Sequence, residues 1–228
     1  QHSQIRLFDL KPRWETYAVE WDASVLDSLN RLQYYHDTQW EVCDTRNTAR
    51  FSAIGFAFGR MLADSLQVPI GLILNAVGGS PTEAWIDRKT LEFEFSDILQ
   101  DWTKNDFIQD WVRERAALNI KQASNPLQRH PYEPCYLFEA GIQPLHQYPI
   151  KGIIWYQGES NAHNMEVHER LFPLLVNSWR QNWNADLPFY YVQLSSIDRP
   201  SWTWFRDSQR RLAQTVSNTG MAVSSDRG

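Results

Sequence analysis

Cysteine is scarce in this chain: of its 228 residues only Cys43 and Cys135 carry a thiol. Two thiols make no disulfide framework of the kind that staples small secreted domains, and no His or Cys stands at metal-site spacing beside either. They read as two buried thiols, with a single bridge left open should the protein be exported. Long apolar runs are missing as well. No stretch approaches the ~18 consecutive apolar residues of a membrane span, and Gln1-His2-Ser3-Gln4 has neither the charge nor the apolar run of a secretory signal. Positive charge is not in excess: 22 Lys and Arg against 27 Asp and Glu leave a formal net charge of -5. No basic field is therefore offered to nucleic acid or an anionic membrane, and a neutral or modestly charged small molecule fits better as the partner. There is no initiator Met, which reads as a processed product or a fragment. Internal repeats, low-complexity tracts and a clear linker are also lacking. With 43% hydrophobic residues the chain can bury a core, and its length fits one domain.

Periodicity predicts strands alternating with helices. Ile5-Arg6-Leu7-Phe8 reads as a short strand. Phe51, Ile54, Phe58, Met61 and Leu62 recur at helical spacing across residues 50–66, and residues 70–74 form a buried-type strand. Residues 92–122 read as one or two helices, residues 125–134, with three prolines, as an extended loop, and residues 97–149 together as an inserted helical and loop segment or lid. Residues 152–156 and 189–194 read as further strands, 164–183 and 204–217 as helices, and 221–225 as the start of a last strand. Alternation of this kind argues an α/β fold with a mainly parallel sheet covered on both faces.

The most informative segment is Trp155-Tyr156-Gln157-Gly158-Glu159-Ser160-Asn161, where an apolar run stops at two amides, a carboxylate and a hydroxyl. Open α/β sheets bind ligands just beyond the carboxyl ends of their strands. Gly78-Gly79-Ser80 and Ser224-Ser225-Asp226 end two other apolar runs in the same way, so the three ends can line one crevice. Gly158 to Ala162 approximates a Gly-x-Ser-x-Gly nucleophile elbow, which would make Ser160 the nucleophile of an α/β-hydrolase. Chain order argues against it. The acid and then the His should follow the nucleophile, yet the only later histidines are His163 and His168, on or beside the next helix.

Four blocks resemble, in order, those of the sialate O-acetylesterase family of SGNH-type hydrolases. They are Phe51-Ser52-Ala53-Ile54-Gly55 through Ile73, Gly78-Gly79-Ser80-Pro81-Thr82-Glu83-Ala84-Trp85, Leu137 to Leu145, and Trp155 to Asn161. The resemblance runs from Ile5 to Asp226. It implies a flavodoxin-like, three-layer fold with a mainly parallel sheet. It also implies metal-free, cofactor-free hydrolysis of O-acetyl esters on sialic acid or a related sugar, in a periplasmic or secreted setting. Its nucleophilic Ser block would precede Ile5 and its Asp-x-x-His block would follow Asp226, and neither is in this chain. The resemblance thus implies a single domain truncated at both ends, carrying the oxyanion side of the site and nearly inactive by itself. A non-catalytic carbohydrate-binding domain is the other reading.

By the same resemblance, Gly79 corresponds to the backbone oxyanion donor. Gln157 and Asn161 are candidate amide donors, and Glu159 is suited to orienting a neighbour or holding a sugar hydroxyl. The chemistry is consistent: a tetrahedral oxyanion needs fixed N–H donors, glycine lets its N–H approach closely, and a neutral amide donates without titrating. The alternative is that Gly78-Gly79 is only a tight turn and that the two amides satisfy loop backbone. Trp85 follows the Gly-Gly block closely enough to face the crevice for a sugar, although most of the 11 tryptophans must be core or interface rings. His163 and His168, five apart, miss same-face helical spacing for a metal pair and suit solvated or capping roles.

Overall fold

The structure is a computed structural model describing residues 3–224. In chain order its elements are β1 (Ile5–Leu10), α1 (Ala23–Asn30), β2 (Glu41–Val42), α2 (Thr45–Thr48), α3 (Ala53–Leu66), β3 (Ile70–Asn75), α4 (Arg88–Glu94), α5 (Asp110–Asn119), β4 (Ile153–Trp155), α6 (Met165–Trp183), β5 (Phe189–Val192), α7 (Trp202–Thr215) and β6 (Thr219–Ala222). A 3-10 turn spans Thr82–Trp85 and a π-helical turn Phe138–Ile142. Strands and helices alternate and most strand pairs are parallel, as the apolar pattern predicts, but the strands form two three-stranded sheets where one sheet was expected. The described residues fall into two compact units, one of residues 3–15 and 34–78, the other of 16–33 and 79–224.

In the smaller unit β1 lies between an antiparallel β2 and a parallel β3, in register from Ile5 opposite Ile70 to Leu10 opposite Asn75. Ile5, Leu7, Cys43 and Ala63 form its core, with Phe51, Phe56, Ile70 and Leu72 packed against them. Ser52 caps α3 by accepting the Gly55 N–H, and Gln67 ends it in the left-handed region. The face of α3 differs from the sequence expectation. Gly59 and Ala63 are its buried residues, whereas Ile54 and Met61 are exposed. The reason is close approach: a Cβ on Gly59 would lie 2.6 Å from Leu72 Cδ1, so the helix seats its smallest residues on the strand.

The larger unit holds a wholly parallel sheet ordered β4-β5-β6, with Ile153 opposite Phe189 and Val192 opposite Ala222. The crossovers α6 and α7 cover one face. There Phe172 meets Phe189 and Tyr191 at 5.7 and 4.8 Å between ring centroids, and the Tyr191 hydroxyl donates to the Gln209 carbonyl. Ile154, Tyr156 and Tyr190 on the strands and just beyond are exposed.

Segment 97–149 forms α5 and a long irregular stretch that docks α1. Tyr136 and Gln128 donate to the carbonyls of Leu29 and Leu26 in the last turns of that helix. Arg129 bridges Glu133 and Glu139, and Arg88 reaches Glu139, which ties this stretch to α4. Cys43 and Cys135 are both buried free thiols, and no bridge joins them.

Two buried imidazoles make this unit acid-sensitive. His130 accepts the Tyr132 N–H at Nδ1, so Nε2 carries the proton facing Asn119 Oδ1 at 3.1 Å, and the ring stacks on Trp21. His168 lies 4.2 Å from Phe205 between ring centroids and is 2% exposed, so it is neither solvated nor a cap, as sequence spacing had suggested. Burial pushes both down to about 3 from 6.5. Each ring therefore stays neutral in the folded chain while the unfolded chain protonates, so stability present above pH 6.5 is lost as pH falls toward 3. Between pH 7 and 5 this amounts to about 2 kcal/mol per ring. Urea unfolding at the two pH values should show His168→Leu gaining about that much relative to wild type on acidification; a pH-independent difference would mean the ring is charged in the fold.

Candidate functional site

The site is built from two loops of the larger unit. One leaves Gly79 and enters the 3-10 turn Thr82–Trp85; the other runs from the end of β4 through Gln157 to Asn161, ahead of α6. Gly79 has φ +75, a conformation that favours glycine, and a Cβ there would lie 2.5 Å from Tyr132 Oη and 2.8 Å from Trp111. Both backbone geometry and space therefore require glycine. Its N–H makes no hydrogen bond among the described residues, while its carbonyl accepts from Ser160 Oγ at 2.8 Å.

Side chains of the second loop hold the first. Asn161 Oδ1 accepts the Thr82 N–H at 2.9 Å and Gln157 Nε2–H at 2.8 Å, and at 3.1 Å it shares the one Thr82 hydroxyl proton with Gln157 Oε1. Gln157 Nε2 also donates to the Ser80 carbonyl at 3.1 Å, and its Oε1 faces the Thr82 hydroxyl at 2.8 Å. On its other side Asn161 donates from Nδ2 to Glu83 Oε2 at 2.9 Å. Beneath lies an aromatic floor. Trp85 donates to Ser80 Oγ and stands edge-on to Trp155, and Trp179 donates to the Trp85 carbonyl.

Glu83 is fully buried, and burial pushes its carboxyl up to about 7, against the lowering effect of the Asn161 hydrogen bond. Only Oε2 is hydrogen-bonded; Oε1 has no partner. Below neutral pH the inner wall of the site is thus uncharged.

The structure brings Gly79, Gln157 and Asn161 together and gives them different situations. Gln157 is half-buried, with its amide at the edge of the network. Asn161 is 1% exposed and has its oxygen fully engaged. Glu159 is exposed on the same loop. Trp85 is a correction: it is 3% exposed, with its N–H on Ser80 and its ring against Trp155, so it belongs to the floor and offers no face to a sugar. Ser160 is likewise buried, with its hydroxyl given to the Gly79 carbonyl, which leaves no free nucleophile at the elbow-like sequence. Asp226 and Ser225 lie outside the described residues. Sequence reasoning missed Glu83, Tyr132 and Trp111. A carboxylate set directly before Ala84-Trp85-Ile86 was a signal for Glu83; nothing local marked the other two, whose role depends on a fold-distant contact.

The chain is similar to known proteins. Residues 20–227 match the family model described as carbohydrate esterase, sialic acid-specific acetylesterase. The chain is 34% identical over 210 residues to sialate O-acetylesterase of Rattus norvegicus and 34% over 207 residues to that of Mus musculus, covering in each case 79% of this chain and 38% of the relative. The crystal structure of a carbohydrate acetylesterase from Xanthomonas citri is similar at a TM-score of 0.69 and 26% identity, over 100% of this chain and 44% of that one. The chain thus spans well under half the length of these relatives.

Asn161→Ala should strand the Thr82 N–H, one Gln157 N–H and Glu83 Oε2 at once. At about 1–3 kcal/mol for each buried group left unpaired, unfolding free energy should drop by about 3 kcal/mol or more. Gly79→Ala should also destabilise, by about 1–3 kcal/mol from left-handed strain alone, whereas Gly78→Ala, whose Cβ meets open space, should not. Equal stability of the two alanine variants would remove Tyr132 and φ from the account.

Proposed function

The chain belongs to the sialic acid-specific acetylesterase family of carbohydrate esterases, and from that membership we propose that it forms the oxyanion side of a site hydrolysing O-acetyl esters on sialic acid or a related sugar. One observation carries the reading: a left-handed glycine with an unspent N–H is fixed beside an exposed-edge amide by a network with no other evident purpose. Attack on an acetyl carbonyl produces an oxyanion, and donors held in place before the reaction stabilise it without reorganising. Gly79 supplies the backbone N–H. Gln157 supplies the second by exchanging its longer bond, to the Ser80 carbonyl at 3.1 Å, for the oxyanion. Asn161, with its oxygen engaged three times, acts through Gln157. Glu159, exposed on the same loop, accepts from a sugar hydroxyl.

The flavodoxin-like, three-layer SGNH arrangement is the frame we propose for these units, supported by their parallel strands and by the carbohydrate acetylesterase fold they resemble. The attacking hydroxyl and its base come from outside the network. The hydroxyls of Ser160 and Thr82 are already donated within it, so the network alone hydrolyses an ester only feebly. No observation favours Ser160 as a nucleophile.

In an acetylesterase-active form of the protein, Gln157→Ala should lower kcat on an aryl acetate by about 10²–10³ while KM changes little. Undiminished turnover, with binding of an acetylated sugar retained, would instead support a carbohydrate-binding domain.

A further inference from the structure

The Asn161 amide could in principle sit either way round in its pocket, and the two orientations are not equivalent for the site. As placed, Oδ1 receives the Thr82 N–H, the Thr82 hydroxyl and Gln157 Nε2–H. Turned over, an NH₂ would face those donors, and both Gln157 and the Thr82 backbone would lose their anchor. What selects the orientation is on the far side: Glu83 Oε2 accepts from Nδ2 at 2.9 Å. Among the described residues it is the one side-chain hydrogen bond to a carboxyl that is 0% exposed. Placing a carboxyl in the core costs free energy that an apolar residue there would not, and its side-chain partner is the residue that organises the site.

We propose that Glu83 is a positioning residue, which through Asn161 sets the Gln157 amide and the Gly79–Thr82 backbone in the arrangement that receives an acetyl oxyanion. The proposal rests on the acetylesterase reading above and adds a residue and a pH dependence to it. Glu83 works as the neutral acid. Its carboxyl lies at about 7, and ionisation would place a like charge behind the developing oxyanion. The groups around it leave this titration to burial. From α6, Ser178 and Trp179 bond Asp87 and Trp85 near it; the carboxylate of the π-helical turn, Glu139, is taken by Arg88 and Arg129; Cys135 meets Glu83 through its backbone N–H, and from the second loop Asn161 is the contact. None of the ionisable side chains among these shifts the Glu83 carboxyl.

The test is kcat and KM against pH for Glu83→Gln, Glu83→Ala and Gln157→Ala in an acetylesterase-active form of the protein. Gln keeps an acceptor for Asn161 and cannot ionise. Glu83→Gln should hold kcat within about threefold of wild type at pH 6 and lack the wild-type decline above pH 7, while Glu83→Ala should lose about tenfold or more in kcat with KM little changed. If Gln157→Ala is impaired but Glu83→Ala turns over normally, Glu83 only fills the core and the proposal is overturned while the esterase reading stands. If Glu83→Ala does not fold, Glu83→Gln decides: a decline above pH 7 that persists in it overturns the proposal. Normal turnover in Gln157→Ala would sink the esterase reading itself, and this inference with it.

Discussion

One carboxamide oxygen holds the site together. Asn161 Oδ1 takes the Thr82 N–H and a Gln157 N–H, and shares the Thr82 hydroxyl, so it joins two loops that are about eighty residues apart in sequence. Buried polar groups of this kind are high-stakes: fully satisfied they fix one arrangement, and partly satisfied they cost several kcal/mol. The network here is nearly complete. Ser160 pins the Gly79 carbonyl, Gln157 the Ser80 carbonyl and Asn161 the Thr82 amide, so each of these three backbone groups has its own side-chain partner.

The surroundings make these bonds stronger than they would be in water. Trp85, Trp155 and Trp179 close the underside, and Phe172, Phe189 and Tyr191 continue the apolar layer between α6 and the sheet. Such a layer lowers the local dielectric, which strengthens satisfied hydrogen bonds and penalises a buried charge. The raised Glu83 carboxyl and the depressed imidazoles of His130 and His168 each come from burial, His130 in its own pocket beside Trp21, with opposite signs because the charged forms differ.

Element order was legible in the sequence because apolar runs and helical spacing carry it: β3, β4, β5, α6 and α7 lie within a few residues of where periodicity puts them. Helix faces were less so. Around α3 the residues chosen for contact were the large apolar ones; Phe51 does pack against the core, but Ile54 and Met61 are exposed and the helix buries Gly59 and Ala63 instead. By sequence, Gly79 and the Gln157 loop belong on one edge of a single sheet; their strands, β3 and β4, lie in different sheets, and side-chain hydrogen bonds bring the two loops together. The division of labour within the site was not legible. Whether an Asn donates outward or accepts inward depends on which donors the fold brings to its oxygen, and Thr82 and Glu83 reach it only in three dimensions. Trp85 misled for a related reason: position beside a site says nothing about which way an indole faces.

The contact between Gly79 and Tyr132 ties the site to segment 97–149. The phenol oxygen, itself 2.6 Å from Thr16 Oγ1, sits where any side chain at position 79 would have to go. The segment therefore works as a mould for the glycine turn. A transplanted loop that lacked the phenol would leave a void over Gly79, and one carrying a bulkier ring would press on the turn whose N–H must stay open. In this chain the turn and the ring above it are thus two halves of one steric part.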